Sequence, residues 1–368
     1  MSKDKKKLIG SSFPISQMSA HHTKPSRIPG EEVIEELDAA LEAGDNLRVM
    51  ELLDGAPHWM KRQPELMLIR ATVLILQSKD LEALQLLHEI ERKFPRFSAV
   101  YLPLSMFYMD QEWSAHALQA AKRALADHNL DEEDRIKLDM MIEEATAIIQ
   151  GLAAERGLPH ETMRRACIFH EQALMAMDED KLLEVVRLSK EAVKIAPNWN
   201  PPHINSAFAL YYLGKTSEAI AVSEAVLERE AENDYALCNL VIYHLGLDQP
   251  EKAQEYATRL KELSANSSPD NMNIDKIITA LALVEDTPAL WKIGKRYLEE
   301  PSGTLFGRSW ECLAVAAIRS GKWKDALQLM EKADKEKLTP CGKKLVDELK
   351  VAAGLRLPCL GWMPPAYP

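Results

Sequence analysis

The chain has 368 residues, 46% of them hydrophobic, and a formal net charge of −11. That acidity argues against a phosphate backbone as the main partner, and no apolar run reaches the ~18 residues that a membrane span needs. Only 15 glycines among abundant Ala, Leu, Glu and Lys predict an all-α protein.

Residues 1–29 carry six Lys or Arg against Asp4, a net +5 that leaves −16 for the rest. Such a stretch reads as a solvated, disordered basic leader. Its apolar part, Leu8–Ile15, is broken by Gly10, two serines and Pro14, which makes a poor signal-peptide core, while an organellar transit peptide stays open. His21 and His22 have no Cys or Asp beside them to complete a metal tetrahedron.

From residue 30 onward the chain is periodic. Small residues recur in pairs twelve apart, and the pairs recur every thirty-four residues: Ala71 with Ala83, Ser105 with Ala117, Ala173 with Val185, Ala207 with Ala219, Val241 with Ala253. One period, centred near 139, is missing while the phase survives it. A repeat of this length predicts stacked helical hairpins, each burying its apolar face against its neighbours. In residues 200–233, one helix is expected over Pro202–Leu213, Gly214 breaks it, and a second runs over Ser217–Arg229 with Thr216 or Ser217 as its cap. Ala207 and Ala219 face each other where the helices cross, with Ile220, Val222, Val226 and Leu227 in the packing stripe. Residues 234–267 repeat this with Leu237, Leu240, Val241, Ala253, Ala257 and Leu260.

On these residues the chain resembles the tetratricopeptide repeat family. Residues 98–131 match its pattern best, through Tyr101, Leu104, Ser105, Tyr108, Ala117, Ala121 and Ala124. Residues 64–97 bring Met67, Ala71, Leu74, Ala83, Leu87, Ile90 and Pro95; 166–199 bring Phe169, Ala173, Ala176, Ala192 and Pro197. Residues 307–338 add Trp310, Leu313, Ala314, Gly321, Ala326, Met330 and Ala333, and units at 30–63 and 271–306 are degenerate. The resemblance implies an α-solenoid of helix–turn–helix hairpins in a right-handed superhelix. The missing period departs from it. Glu144, Ala145, Thr146 and Ala147 stand where the hairpin should reverse and none breaks a helix, so Ile136, Leu138, Met141, Ile142, Ala145, Ile149 and Leu152 read as the stripe of one long helix stopped by Gly157-Leu158-Pro159. The expected organisation is a leader (1–29), a first block (30–130), a long connecting helix (131–160), a second block (161–335), a capping helix (336–355, centred on Lys343–Ala353) and a Pro-rich tail (356–368).

Several motifs compete with that reading. Ala209–Thr216 ends like a phosphate-binding loop at Gly214-Lys215-Thr216, but its first glycine is replaced by Ala209 and no strand precedes it. His170-Glu171 opens like a zinc-protease helix, but Leu174 stands where the second histidine belongs, leaving an ordinary polar pair. Asn266-Ser267-Ser268 is a glycosylation triplet, meaningful only on secretion. Pro364-Pro365-Ala366-Tyr367 either has the form of a WW-domain ligand or belongs to a tail that folds Trp362 and Tyr367 onto the last helix. Cys167, Cys238, Cys312, Cys341 and Cys359 are odd in number and scattered, as reduced thiols of a cytoplasmic protein would be.

In the family, partners lie along the concave face lined by the first helix of each hairpin. Carried over, that face includes His170 in one unit, Asn205, Phe208, Tyr211 and Tyr212 in the next, and Tyr235, Asn239 and Ile242 in the third. Asn205 and Asn239 are one repeat apart, and an amide both donates and accepts, so the pair suits the backbone of an extended peptide. The surrounding rings either anchor side chains or pack between hairpins. The basic residues with which some family members grip a terminal carboxylate are missing, with Ile204, Phe208, Cys238 and Ile242 around the two amides. A non-enzymatic scaffold is expected, without cofactor or metal, binding a largely apolar protein or peptide segment. The alternative is a regulatory or assembly subunit that uses its convex surface and long helix. The chain is expected to be a monomer or one subunit of a complex.

Overall fold

In the computed structural model, residues 31–127, 130–266, 274–299, 305, 307–333, 338 and 342–346 are described. The leader, Ser267 and Ser268, Cys341, Cys359, the Pro364–Tyr367 motif and all of the expected capping helix (336–355) except 338 and 342–346 lie outside them.

Among the described residues seventeen α-helices follow one another. They are α1 (Glu31–Glu42), α2 (Asn46–Gly55), α3 (Pro64–Leu76), α4 (Asp80–Lys93), α5 (Tyr101–Asp110), α6 (Ser114–Ala124), α7 (Glu132–Arg156), α8 (His160–Asp178) and α9 (Leu182–Ile195). Then come α10 (Asn200–Tyr212), α11 (Thr216–Arg229), α12 (Asp234–Gly246), α13 (Pro250–Asn266), α14 (Ile274–Leu283), α15 (Thr287–Glu299), α16 (Gly307–Arg319) and α17 (Trp323–Lys332). Apart from α7 they pair into antiparallel hairpins. The chain divides into two compact units, 1–171 and 172–368, the division falling inside α8.

The small-residue pairs sit where the helices of each hairpin touch: all ten of these side chains are 0% exposed. Each hairpin reverses through one residue with positive φ, at Gly44, Ser78, Glu112, Asp180, Gly214, Asp248, Glu285 and Gly321. The residue that follows sends its N–H back to the carbonyl five positions earlier, as Lys215 does to Leu210 at 2.9 Å and Trp113 to Tyr108 at 2.7 Å. This is the hydrogen-bonded left-handed end of a helix. The helix that follows this turn, α11, opens without a side-chain cap: Thr216 is its first residue, and Lys215 precedes it uncapped. Gly214 is therefore a hairpin turn after helix α10, with none of the strand context of a phosphate loop. Nothing lies within 4 Å of where a Cβ would stand on Gly214, whose φ is +76°. Gly214→Ala is thus expected to cost only backbone strain, about 1–2 kcal/mol in thermal unfolding.

Counting thirty-four residues on from Glu112 gives Thr146, and no turn occurs there: α7 is one helix of 25 residues. A β-branched residue is among the poorest for a left-handed turn. Asp131 caps α7 through its side chain, and Gly157, at φ +62°, ends it. α7 packs on α5 and α6, burying Leu138, Ala145, Ile149 and Ala153. Ile136, which the sequence places in that stripe, is instead 53% exposed, because it lies on the opposite side of the helix.

Glu171 also departs from the sequence reading. It is 4% exposed, and its carboxylate accepts from the backbone N–H groups of Ala115 at 2.8 Å and His116 at 2.9 Å, and from His116 Nδ1 at 2.6 Å. Trp113, preceding α6, offers no side-chain cap, and the first turn of α6 has no acid of its own. Glu171 supplies both the missing acceptor and the negative charge that a helix N-terminus favours.

Candidate functional site

The helices α10, α12 and α14 open successive hairpins of the second unit, and α12 packs against both of the others. On α10, Phe208, Tyr211 and Tyr212 fall at i, i+3 and i+4, one face of the helix; on α12, Asn239, Ile242 and Tyr243 do the same. These six side chains and Lys276 of α14 enclose a cavity of about 10 Å³, the space of about one water. Tyr211 stacks on Tyr243 with centroids 4.6 Å apart, Tyr211 meets Tyr212 edge-on at 5.3 Å, and Phe208 leans on Tyr212 at 4.6 Å. Gly246 makes room for this arrangement, since a Cβ there would come within 2.7 Å of the Tyr211 hydroxyl.

The polar side of the cavity is short of partners. Asn239 is 3% and Tyr243 1% exposed, yet among the described residues no side chain or backbone group hydrogen-bonds Asn239 Nδ2 or Tyr243 Oη. A buried donor left unmade costs on the order of 1–3 kcal/mol. Burial pushes the Tyr243 phenol well above its ordinary pKa, so it remains a proton donor at neutral pH. The Lys276 ammonium stands 4.5 Å over the ring of Tyr235. Burial lowers the pKa of Lys276, with Cys238 and Asp234 acting the other way.

Of the eight residues that the sequence reading places in a groove, five line this cavity: Phe208, Tyr211, Tyr212, Asn239 and Ile242. Tyr235 adjoins it through Lys276 and is 37% exposed. Asn205, partly buried, sits one turn before Phe208 and outside the lining. His170 belongs to the first unit; burial lowers its pKa to about 4, leaving the imidazole neutral at physiological pH.

Tyr243 and Lys276 were missed. Tyr243 follows Asn239 by one helical turn, and that spacing could have found it. Lys276 lies beyond a slip in the repeat, the turn at Glu285 falling thirty-seven rather than thirty-four residues after that at Asp248. Counted back from the turns, Glu171, Asn205, Asn239 and Lys276 occupy one position, nine residues before Asp180, Gly214, Asp248 and Glu285.

Cys167, Cys238 and Cys312 are buried and unbridged. Burial raises all three thiols, Cys167 and Cys312 to about 12, so none is a thiolate nucleophile at neutral pH. No described helix is long and apolar enough to cross a membrane.

No protein-family model matches the chain, and no curated protein matches it. Solved tetratricopeptide repeat structures are similar to it over most of its length. The TPR domain of P58(IPK) is 14% identical, with a TM-score of 0.32, over 89% of this chain and 99% of that one. The TPR2AB domain of yeast Sti1, in a complex with pHSP90, is 15% identical, with a TM-score of 0.29, over 64% and 91%. The APC/C hetero-tetramer Cut9–Hcn1 is 14% identical, with a TM-score of 0.39, over 96% and 62%. The register of buried small pairs and left-handed turns, visible in its own helices, makes this chain an all-α array of tetratricopeptide-like hairpins.

Proposed function

We propose that the chain is a non-enzymatic scaffold that holds a peptide segment of a partner protein against α10, α12 and α14, with an acceptor oxygen of the segment entering the cavity. The observation that carries this reading is the pair of buried, unpartnered groups, Asn239 Nδ2 and Tyr243 Oη, beside the Lys276 ammonium. Every one of them donates, so their complement is an acceptor, and the charge of Lys276 favours a carboxylate oxygen over a neutral carbonyl. The rings of Phe208, Tyr211 and Tyr212 offer an apolar wall to the atoms that precede it. Asn205, one repeat before Asn239, extends the polar line toward the peptide backbone.

Affinity capture from native extract tests this, run in parallel with wild type, Asn205→Ala/Asn239→Ala and Lys276→Met, and read by mass spectrometry. The reading requires one partner to be lost from both variants while their helicity is retained, and a synthetic peptide from that partner to bind wild type alone. Identical partners on all three proteins would sink it.

Lys276 links this reading to stability. Its folded-state pKa lies below its unfolded value, so the unfolded chain binds more protons in the window between them. Stability of the second unit is therefore expected to rise with pH through that window, with the penalty in full force below it. Lys276→Met should abolish this dependence and raise stability by about 1 kcal/mol, which thermal melts at neutral and alkaline pH would register.

A further inference from the structure

On the side of α7 turned away from α5 and α6, large apolar side chains are exposed. Ile136, Met140 and Ile148 are 53%, 65% and 42% exposed. They follow one another along the helix at four-residue steps, with only Glu144 interrupting the row. Beside this row run Asp139, Glu143, Ala147 and Gly151, all exposed. Among the described residues no ion pair neutralises Glu132, Asp139, Glu143 or Glu144. Gly151 stands in the interior of the helix with nothing within 4 Å of its absent Cβ. A glycine there weakens the helix relative to alanine, and no contact within the described chain accounts for it. Close approach of a second backbone, eased by the neighbouring small side chain of Ala147, does account for it.

We propose that this face of α7 docks a basic amphipathic helix of a partner protein, its apolar residues against Ile136, Met140 and Ile148 and its lysines or arginines against Asp139, Glu143 and Glu144. The charges select this occupant. A second copy of α7 packed antiparallel about a two-fold axis would set Glu143 and Glu144, at the middle of the helix, against themselves, and like charges in contact are unfavourable. A basic helix meets the same carboxylates with opposite charge. The face belongs to the first unit and shares no residue with the cavity on α10, α12 and α14.

The test uses the full chain and a fluorescent synthetic amphipathic helix of Leu and Lys, with the Leu and Glu peptide of the same apolar face as its control. Wild type should bind the Lys peptide and not the Glu peptide. Met140→Ser/Ile148→Ser and Glu143→Lys/Glu144→Lys should each weaken binding by about tenfold or more. Gly151→Leu is the decisive variant: it should raise the melting temperature, because leucine is the better helix former, and still lose the peptide. Asn239→Ala should leave the affinity unchanged. Equal binding of both peptides, loss of binding in Asn239→Ala, or full binding by Gly151→Leu would each overturn the proposal. So would binding seen only after Lys5→Glu/Lys6→Glu/Lys7→Glu, which would make the chain's own leader the occupant. A dimer of the wild type dissolved by Gly151→Leu would make the occupant a second copy, and overturn it too.

Discussion

Replacing Glu171 with alanine is expected to lower the stability of the first unit by about 3–5 kcal/mol, the range for stripping one partner from a buried charged network. The carboxylate holds the N–H groups of Ala115 and His116 and the imidazole of His116, and α6 has no other side-chain cap. Without it two backbone donors at the start of a buried helix are left unmade. Glu171→Gln keeps an acceptor but loses the charge, so an intermediate loss of about 1–2 kcal/mol should follow. Urea unfolding of the variants measures these costs, and hydrogen exchange localises them: the amides of Ala115 and His116 should lose protection first. Glu184, paired with Arg187 on an exposed face, is the control whose removal should leave the midpoint in place. If Glu171→Ala melts like that control, the carboxylate is not the cap of α6.

A comparable loss, about 2–3 kcal/mol, is expected from Gly342→Ala at the far end of the second unit. Glu311 of α16 is fully buried, and a methyl group on Gly342 would overlap its carboxylate. A surface side chain could swing aside, but one that is 0% exposed has little room to do so. A double-mutant cycle provides the check. In a Glu311→Ala background the overlap is gone, so Gly342→Ala should then cost almost nothing. Additive costs would mean that the two residues do not meet.

Much of the fold is legible in the sequence because its signals are repetitive. Five small-residue pairs in one phase identify the helix crossings, and each proves to be fully buried. The hairpin turns are less legible, since Ser78, Glu112, Asp180, Asp248 and Glu285 adopt the left-handed conformation without being glycine. A polar residue followed by the backward hydrogen bond of the Lys215–Leu210 type suffices there, and composition alone does not reveal it. Glu171 could not be read as a cap, because the first backbone N–H it accepts from, that of Ala115, lies fifty-six residues earlier. At the candidate site, period and helical spacing lead to five lining residues. Lys276 escaped because a three-residue slip between Asp248 and Glu285 moves it out of phase. No periodic argument survives an insertion whose length is unknown.

The Glu171 contact has a kinetic side as well. In a hairpin array most native contacts join residues within one or two helices of each other, so ordering spreads locally and the chain entropy lost at each step is small. The hydrogen bond from Ala115 to Glu171 spans 56 residues and leaps the whole of α7, so it forms only after a much larger loop has closed. Folding of the first unit should therefore show a late step, absent from a chain of plain hairpins, at which α6, α7 and the start of α8 become ordered together. That step couples the one unreversed helix to its flanks, where neighbour-to-neighbour stacking alone would leave it a weak joint.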